Sequence, residues 1–302
     1  SIEQLYLTGL HLEQYRHATY NPMDYYEEAL RREPGDVRCN NAMGLLLMRK
    51  GQFAKAEGYF RKAVETLTER NPNPYDGEPY YNQGWSCLMQ DKTDEAYDAF
   101  FKSAWNAAWQ DAAYYNLAAI DCRRGNFEKA LDLIDRSLVR NWHHHKARQL
   151  KSSILRHLGR KEEAFDLIAE SLKIDRFNMV CRFEQYLLTD DNVLKEMQRL
   201  MRGAAHVYIE YALDFAQAGL YDEAINLLEG YAATQSSVYP MVHYALGYCH
   251  SRKGDTVKAL EYYKNAEQDD HSYCFPNRIE EVLVLQDAMK ENHEACAKAA
   301  YA

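Results

Sequence analysis

Small residues recur in pairs twelve positions apart along most of this chain: Gly44 with Ala56, Gly84 with Ala96, Ala118 with Ala130, Ser152 with Ala164, Ala212 with Ala224, and Gly247 with Ala259. The first members step by 34 from 84 to 118 to 152, and by 35 from 212 to 247. A period of this length marks one supersecondary unit stacked repeatedly on itself, because a single unit cannot bury its apolar face alone. Each period reads as two short antiparallel helices, with the small residues where the helices approach most closely. Phe60, Phe100, Ile134, Ile168, Leu228 and Tyr263 each follow the second small residue by four, one helical turn on, and form a packed seam. Gly51, Gly125, Gly159, Gly219 and Gly254 stand seven residues after the first small residue, where a left-handed helix cap favours glycine. Asp91 takes that place after Gly84.

The expected fold is therefore all-α, a right-handed α-solenoid of about seven to eight helical hairpins running as one array over residues 1–302. Residues 1–36 form a leading hairpin that opens with the pattern at Gly9 and is altered at Pro22. Residues 37–70, 77–110, 111–144 and 145–175 are regular units, 176–204 is a degenerate one, and 205–239 and 240–270 are regular again. The step from Gly44 to Gly84 is 40, and its excess falls in "NPNPYDGEP", where two Asn-Pro pairs make a stiff, extended loop. Residues 271–302 read as an incomplete terminal hairpin. Its last segment, "HEACAKAAYA", has no polar cap, so its apolar face is expected to fray or to self-associate with another copy.

Charge excludes some partners. The formal net charge of −9 and the absence of any Lys/Arg run longer than two leave no electrostatic footprint for nucleic acid or an anionic membrane. The longest compact apolar run, Ala42 to Met48, is far short of the ~20 residues of a membrane span. Seven dispersed cysteines without a Cys-x-x-Cys pair read as free thiols in a reducing compartment, hence a cytoplasmic location. The chain begins at Ser1 without methionine and has the look of a piece of a longer protein.

No catalytic, cofactor or metal motif emerges. His143, His144 and His145 are consecutive on a starting helix, so they point about 100° apart and cannot converge on one ion. His243 and His250 both fall on core-facing positions, where hydrogen-bonded interior histidines are expected. His293 and Glu294 lack the second histidine of a zinc-protease helix. Asp76 and Glu78 beside Tyr80, Tyr81 and Trp85 have a glycosidase flavour, but loop acidity and helix N-terminal charge explain the pair more simply. There is no phosphate-binding glycine loop, nucleophile elbow or Ser/His/Asp constellation.

With these residues in hand, the chain resembles the tetratricopeptide repeat family over nearly its whole length. The segments "YLTGLHLEQYRHATYNP", "DAAYYNLAAIDCRRGNFEKAL" and "HSYCFPNR" also resemble the C-terminal region of large bacterial proteins that carry a β-sandwich domain of unknown function ahead of the repeats. That resemblance implies a bacterial cytosolic protein linked to carbohydrate metabolism through the other domain, and implies nothing about catalysis in the repeats. Peptide-binding members of the repeat family clamp a terminal carboxylate with two asparagines and three basic residues. Arg38 and Asn41 are at suitable positions, but Glu78, Tyr81 and Trp85, then Ala112, Tyr115 and Ala119, do not complete the set.

The expected function is a non-catalytic scaffold that binds a protein or peptide in its concave groove. At ~100° per residue, Tyr81 and Trp85 lie on the stripe beside the buried one, with Tyr115 and Arg123 on the following unit. Arg38, Asn41 and Arg49 supply polar contacts from the preceding helix, and Tyr244 and Tyr248 with Arg252 form a second patch. The alternative is an α/α-toroid or an accessory module of a carbohydrate-active enzyme, although a toroid needs longer and more unequal hairpins than these.

Overall fold

The computed structural model describes residues 1–16 and 19–290, within which the chain forms seventeen α-helices and no strand. The terminal segment "HEACAKAAYA", on which self-association was expected, lies outside the described residues. Two compact units are present, Ser1–Ala113 and Tyr114–Ala302. The first contains three hairpins: α1 (Ile2–Gln14) with α2 (Pro22–Arg32), α3 (Val37–Arg49) with α4 (Phe53–Thr68), and α5 (Glu78–Leu88) with α6 (Thr93–Ser103). A 3-10 turn, Ala107–Trp109, leads into α7 (Gln110–Arg123), in which the second unit begins.

In that second unit, α7 is followed by α8 (Phe127–Arg140), α9 (His145–His157), α10 (Lys161–Ile174), α11 (Met179–Leu188) and α12 (Asp191–Met201). After these come α13 (Ala205–Gln217), α14 (Tyr221–Ala232), α15 (Pro240–Arg252), α16 (Thr256–Gln268) and α17 (Ile279–Lys290). Within residues 176–204, where a degenerate unit was expected, α11 and α12 are joined by only two residues, Thr189 and Asp190.

Local chemistry starts and stops these helices where the period requires. Ser1 and Gln4 make a reciprocal capping box on α1, and Asn21 caps α2 with Pro22 already at its first position. Asp36, Asn178 and Asp255 accept from the backbone N–H of Cys39, Cys181 and Lys258, each three residues on. The turn inside the hairpin is left-handed, with φ of 65° at Gly51 and 81° at Gly254. Asp91 adopts the same conformation at φ 60°, a departure that a short polar side chain tolerates.

The seam within each hairpin is set by volume. A methyl group on Gly9 would lie 2.5 Å from Tyr26 Cε1, and one on Gly84 would lie 2.7 Å from Phe100 Cε1. Gly44 against Phe60 and Gly247 against Tyr263 leave no more room. Where the small residue is Ala118, Ser152 or Ala212, the buried residue at the facing position is Ile134, Ile168 or Leu228, aliphatic rather than aromatic. Glycine therefore accompanies a ring, and a residue with Cβ accompanies a branched aliphatic side chain, so the summed volume at the crossing stays within what close packing allows.

Six cysteines, Cys39, Cys87, Cys122, Cys181, Cys249 and Cys274, are buried free thiols. Burial pushes those of Cys122 and Cys249 up to about 12, so they behave as protonated packing groups.

The volume rule is testable. Gly44→Ala gains about 1 kcal/mol of helix propensity but overpacks the seam by about 1–3 kcal/mol. Phe60→Leu alone leaves a cavity. The double variant recreates the Ala212–Leu228 pairing and is expected to exceed the sum of the two single variants in stability by about 1 kcal/mol or more in urea unfolding. Simple additivity would refute the volume argument.

Candidate functional site

In the first unit, α1, α3 and the start of α5 surround a cavity of about 320 Å³. Its apolar floor is Leu10, Val37, Ala42, Leu45 and Pro79. Arg38, Asn41, Ala42, Leu45 and Arg49 all reach it because they share one face of α3, at steps of three, one, three and four. Polar residues form the rim. Arg38 Nη1 lies 2.6 Å from Glu3 Oε2, with its guanidinium carbon 4.6 Å from the centre of the Tyr6 ring. Arg49 Nη1 lies 3.0 Å from Glu13 Oε2, while the other oxygen of Glu13 accepts from the buried Tyr26 hydroxyl at 2.7 Å. Asn41 donates to Glu78 Oε1 at 2.9 Å and accepts from Asn82 Nδ2 at 2.9 Å. Burial pushes the Tyr6 phenol up; Arg38 opposes this and Glu78 reinforces it.

Of the residues expected from sequence, Arg38, Asn41 and Arg49 therefore line one cavity, while Tyr81 and Trp85 point elsewhere. The Tyr81 ring is 4.7 Å from Trp109 and meets Phe100 edge-on at 5.5 Å; Trp85 meets Phe100 edge-on at 6.2 Å. Both rings thus meet the seam with α6, and that of Tyr81 also meets the 3-10 turn, while both residues stay half-buried. Glu13 and Asn82 are contributors that sequence reasoning missed, and Asp76 and Glu78, read from sequence as loop acidity, border the same cavity. The only sequence signal for Asn82 is a polar residue two positions before Gly84 in an otherwise packed stripe.

A smaller depression of about 120 Å³ adjoins the proline-rich loop, lined by Asp76, Tyr80, Lys102 and Trp105 among others. The Lys102 ammonium sits 4.1 Å from the centre of the Trp105 ring, so the aromatic face is already covered by a cation. Asp76 accepts from the Glu78 backbone N–H at 2.9 Å, which is the role of a carboxylate opening a helix.

The inner face of the second unit is closed on its own helices. Arg123 at the end of α7 donates from Nε to the Gln217 carbonyl at 3.0 Å, and Gln217 Nε2 donates to Asn116 Oδ1 at 2.8 Å, joining α7 to α13. Lys146 on α9 reaches Asp214 on α13 at 2.9 Å, and Arg278 reaches Glu210 at 3.0 Å. Burial pushes the Asp214 carboxyl up, against the opposing pull of Lys146 and Arg278. Beside this lies a second network in which Arg156 pairs with Glu184 at 2.9 Å and with Glu223 at 2.8 Å. Burial resists ionisation of Glu223, but hydrogen bonds from His157 and Arg156 outweigh it and hold the carboxyl down at about 2.

These contacts engage several residues expected to line a groove there. Arg123 is engaged with the Gln217 backbone rather than offered to a ligand. Tyr115 is buried against His144, with ring centres 5.1 Å apart. Tyr244 is fully buried between Tyr263 and His271. Tyr248 is half-buried, with Arg252 6.0 Å from its ring centre. A hydrogen-bonded histidine occurs at His243, 2.6 Å from Asp269, but among the described residues neither ring nitrogen of the buried His250 has a hydrogen bond; its Nδ1 lies 3.6 Å from Asp255 and its ring stacks 5.4 Å from Tyr262. His144 and His145 diverge, the first to Tyr115 and the second to Asn178.

Glu57, Cys87 and Glu95 bring three potential ligand atoms within 4.8 Å of one another. Arg61 bonds to both carboxylates and Lys92 to Glu57, so cations already satisfy them. Burial pushes the Cys87 thiol up to about 11, which disfavours the thiolate a metal requires.

Two predictions follow from the second unit. Gly219 has φ of 77°, and a Cβ there would lie 2.8 Å from Arg123 Cα; Gly254 has φ of 81° but open space. Both alanine variants incur the left-handed cost of roughly 1–2 kcal/mol, and only Gly219→Ala must also part α7 from α13. Its loss in denaturant midpoint should exceed that of Gly254→Ala, and equal losses would contradict the apposition. The second concerns acid. With a folded pKa of about 2 against an ordinary 4.5, Glu223 contributes stability that is fully present above pH 4.5 and fades as pH falls toward 2. The melting-temperature gap between wild type and Glu223→Gln should therefore be wide at pH 7 and narrow near pH 3.

Comparison with known proteins agrees with the geometry. The tetratricopeptide repeat family model matches residues 24–74, 115–178 and 211–272, more than half of the chain. The fold is similar to the crystal structure of a tetratricopeptide repeat protein from Parabacteroides merdae, with a TM-score of 0.50 and 18% identity over 87% of this chain and 98% of that one. It is also similar to the crystal structure of the yeast Tom70, with a TM-score of 0.52 and 14% identity over 92% of this chain and 58% of that one. At such identities the likeness concerns the fold alone. Together with the α-solenoid of paired helices, the matched repeats establish that this chain belongs to the tetratricopeptide repeat family.

Proposed function

We propose that the chain is a non-catalytic scaffold that binds a peptide segment of a partner protein in the first unit, between α1, α3 and the start of α5. The observation that carries this reading is the 320 Å³ cavity, where an apolar floor meets a rim of charged side chains from three successive first helices. Such a surface offers shape, burial and directional contacts together, and repeat proteins present surfaces of this kind to their ligands. The second unit supports the placement because its inner face is filled by its own contacts, Arg123 with Gln217 and Lys146 with Asp214. The toroidal carbohydrate enzyme is not favoured: Asp76 opens a helix and Trp105 is capped by Lys102. Among the described residues no helix is long and apolar enough to cross a membrane.

Leu45 is the half-buried centre of the floor, so Leu45→Arg should obstruct the cavity without opening the seam. Random dodecapeptides selected on the full chain are expected to bind Leu45→Arg at least about tenfold more weakly, since loss of one anchor contact is worth on the order of 1–2 kcal/mol. They should bind Tyr273→Ala, altered at an exposed loop residue, as they bind wild type. Equal binding to all three proteins, at matched melting temperatures, would remove the groove from consideration.

A further inference from the structure

Resting on that reading of the groove, we propose that its ligand is a peptide carrying a lysine or arginine, whose cationic head sits at the acidic start of α5 while a neighbouring apolar side chain occupies the floor. The argument is one of charge left over after internal pairing. Two guanidinium groups reach the cavity, and each has a carboxylate at ion-pair distance: Arg38 with Glu3 at 2.6 Å and Arg49 with Glu13 at 3.0 Å. Arg38 also lies 3.7 Å from Asp36. The arginine charges are thus balanced within the protein, so the two guanidinium groups leave no net positive charge at the cavity for an incoming carboxylate.

Asp76 and Glu78 differ. Asp76 accepts from the Glu78 backbone N–H, and Glu78 accepts from the neutral Asn41 amide. Among the described residues neither carboxylate has a cationic partner. The N-terminus of α5 offers them roughly half a positive charge, against two full negative ones, so the helix dipole leaves most of that charge uncompensated. Asp76 is exposed and Glu78 half-buried, which keeps both reachable. Pro79, adjoining them, belongs to the apolar floor with Leu45, Val37 and Leu10, so the anionic corner and the apolar surface are contiguous. A long aliphatic stem ending in a cation fits both at once, because lysine and arginine lay their methylenes along apolar surface and keep the charge at its end.

The test uses the full chain, with dodecapeptides selected from a random library on wild type. The winners should be enriched in lysine or arginine next to an apolar residue, and their binding should weaken with added salt. Asp76→Asn with Glu78→Gln keeps each oxygen acceptor while removing both charges, so folding is preserved. This double variant should bind a representative peptide about tenfold more weakly. Replacing that peptide's basic residue by norleucine should cost a similar factor on wild type and little on the double variant. Peptides that depend on Leu45 but lack basic residues, or that ignore Asp76→Asn with Glu78→Gln, would overturn this inference and leave the groove reading standing. Peptides indifferent to Leu45→Arg, or a selection that yields none, would overturn both.

Discussion

The close approach of two helices at a residue with little or no side chain is what the rest of this structure depends on. Gly44 lets α3 lie directly against the Phe60 ring of α4, and the same contact recurs at Gly84 with Phe100 and Gly247 with Tyr263. A short amphipathic helix is marginal in water alone, so most of its stability must come from such packing. Because the crossing point is set by sterics, the opposite face of each first helix is presented in a regular way. The cavity rim inherits that regularity: Arg38, Asn41, Leu45 and Arg49 project together because Gly44, between them on α3, is turned to the seam.

A repeated seam does not make repeated surfaces. In the second unit, α13 carries Asp214 and Gln217 toward α9 and α7, and the absence of a side chain at Gly219 lets Arg123 lie against it. Charges buried by this closure are retained because they are paired. Glu223 and Glu184 share Arg156, and breaking such a set would leave an uncompensated charge in a poorly hydrated interior. In the first unit the inner side chains instead form a rim around open volume.

Much of this architecture was legible in the sequence because it is local. The twelve-residue pairs and the left-handed turn positions including Asp91 depend on residues within one hairpin, and helical periodicity reports them directly. That Arg38, Asn41 and Arg49 share one face of α3 was legible for the same reason. The contact between Arg123 and Gln217 joins positions 94 residues apart, and nothing in a periodic pattern announces which distant turns will meet. Periodicity placed Tyr81 and Trp85 on the stripe next to the buried one but gave no sign that Phe100 would meet both rings and Trp109 the first, leaving each half-buried. Tyr244 fails similarly: its ring falls between Tyr263 and His271, residues supplied by α16 and the loop that follows.

The sign of a groove's charge is a further property that residue identity alone misstates. Arg38 and Arg49, counted on α3 by themselves, describe a basic surface suited to a carboxylate. Their partners come from α1, which places Glu3 and Glu13 within 2.6 Å and 3.0 Å and consumes both positive charges. The next hairpin then contributes Glu78, whose contact with Asn41 orients the carboxylate without neutralising it. Three consecutive first helices therefore convert an apparently basic helix into one side of an acidic corner. The conversion depends on stacking order, because α3 meets α1 on one flank and the start of α5 on the other only when the hairpins are packed in sequence. The same α3 between neutral neighbours would keep only Asp36 against its two guanidinium groups, an excess of positive charge that selects the opposite ligand.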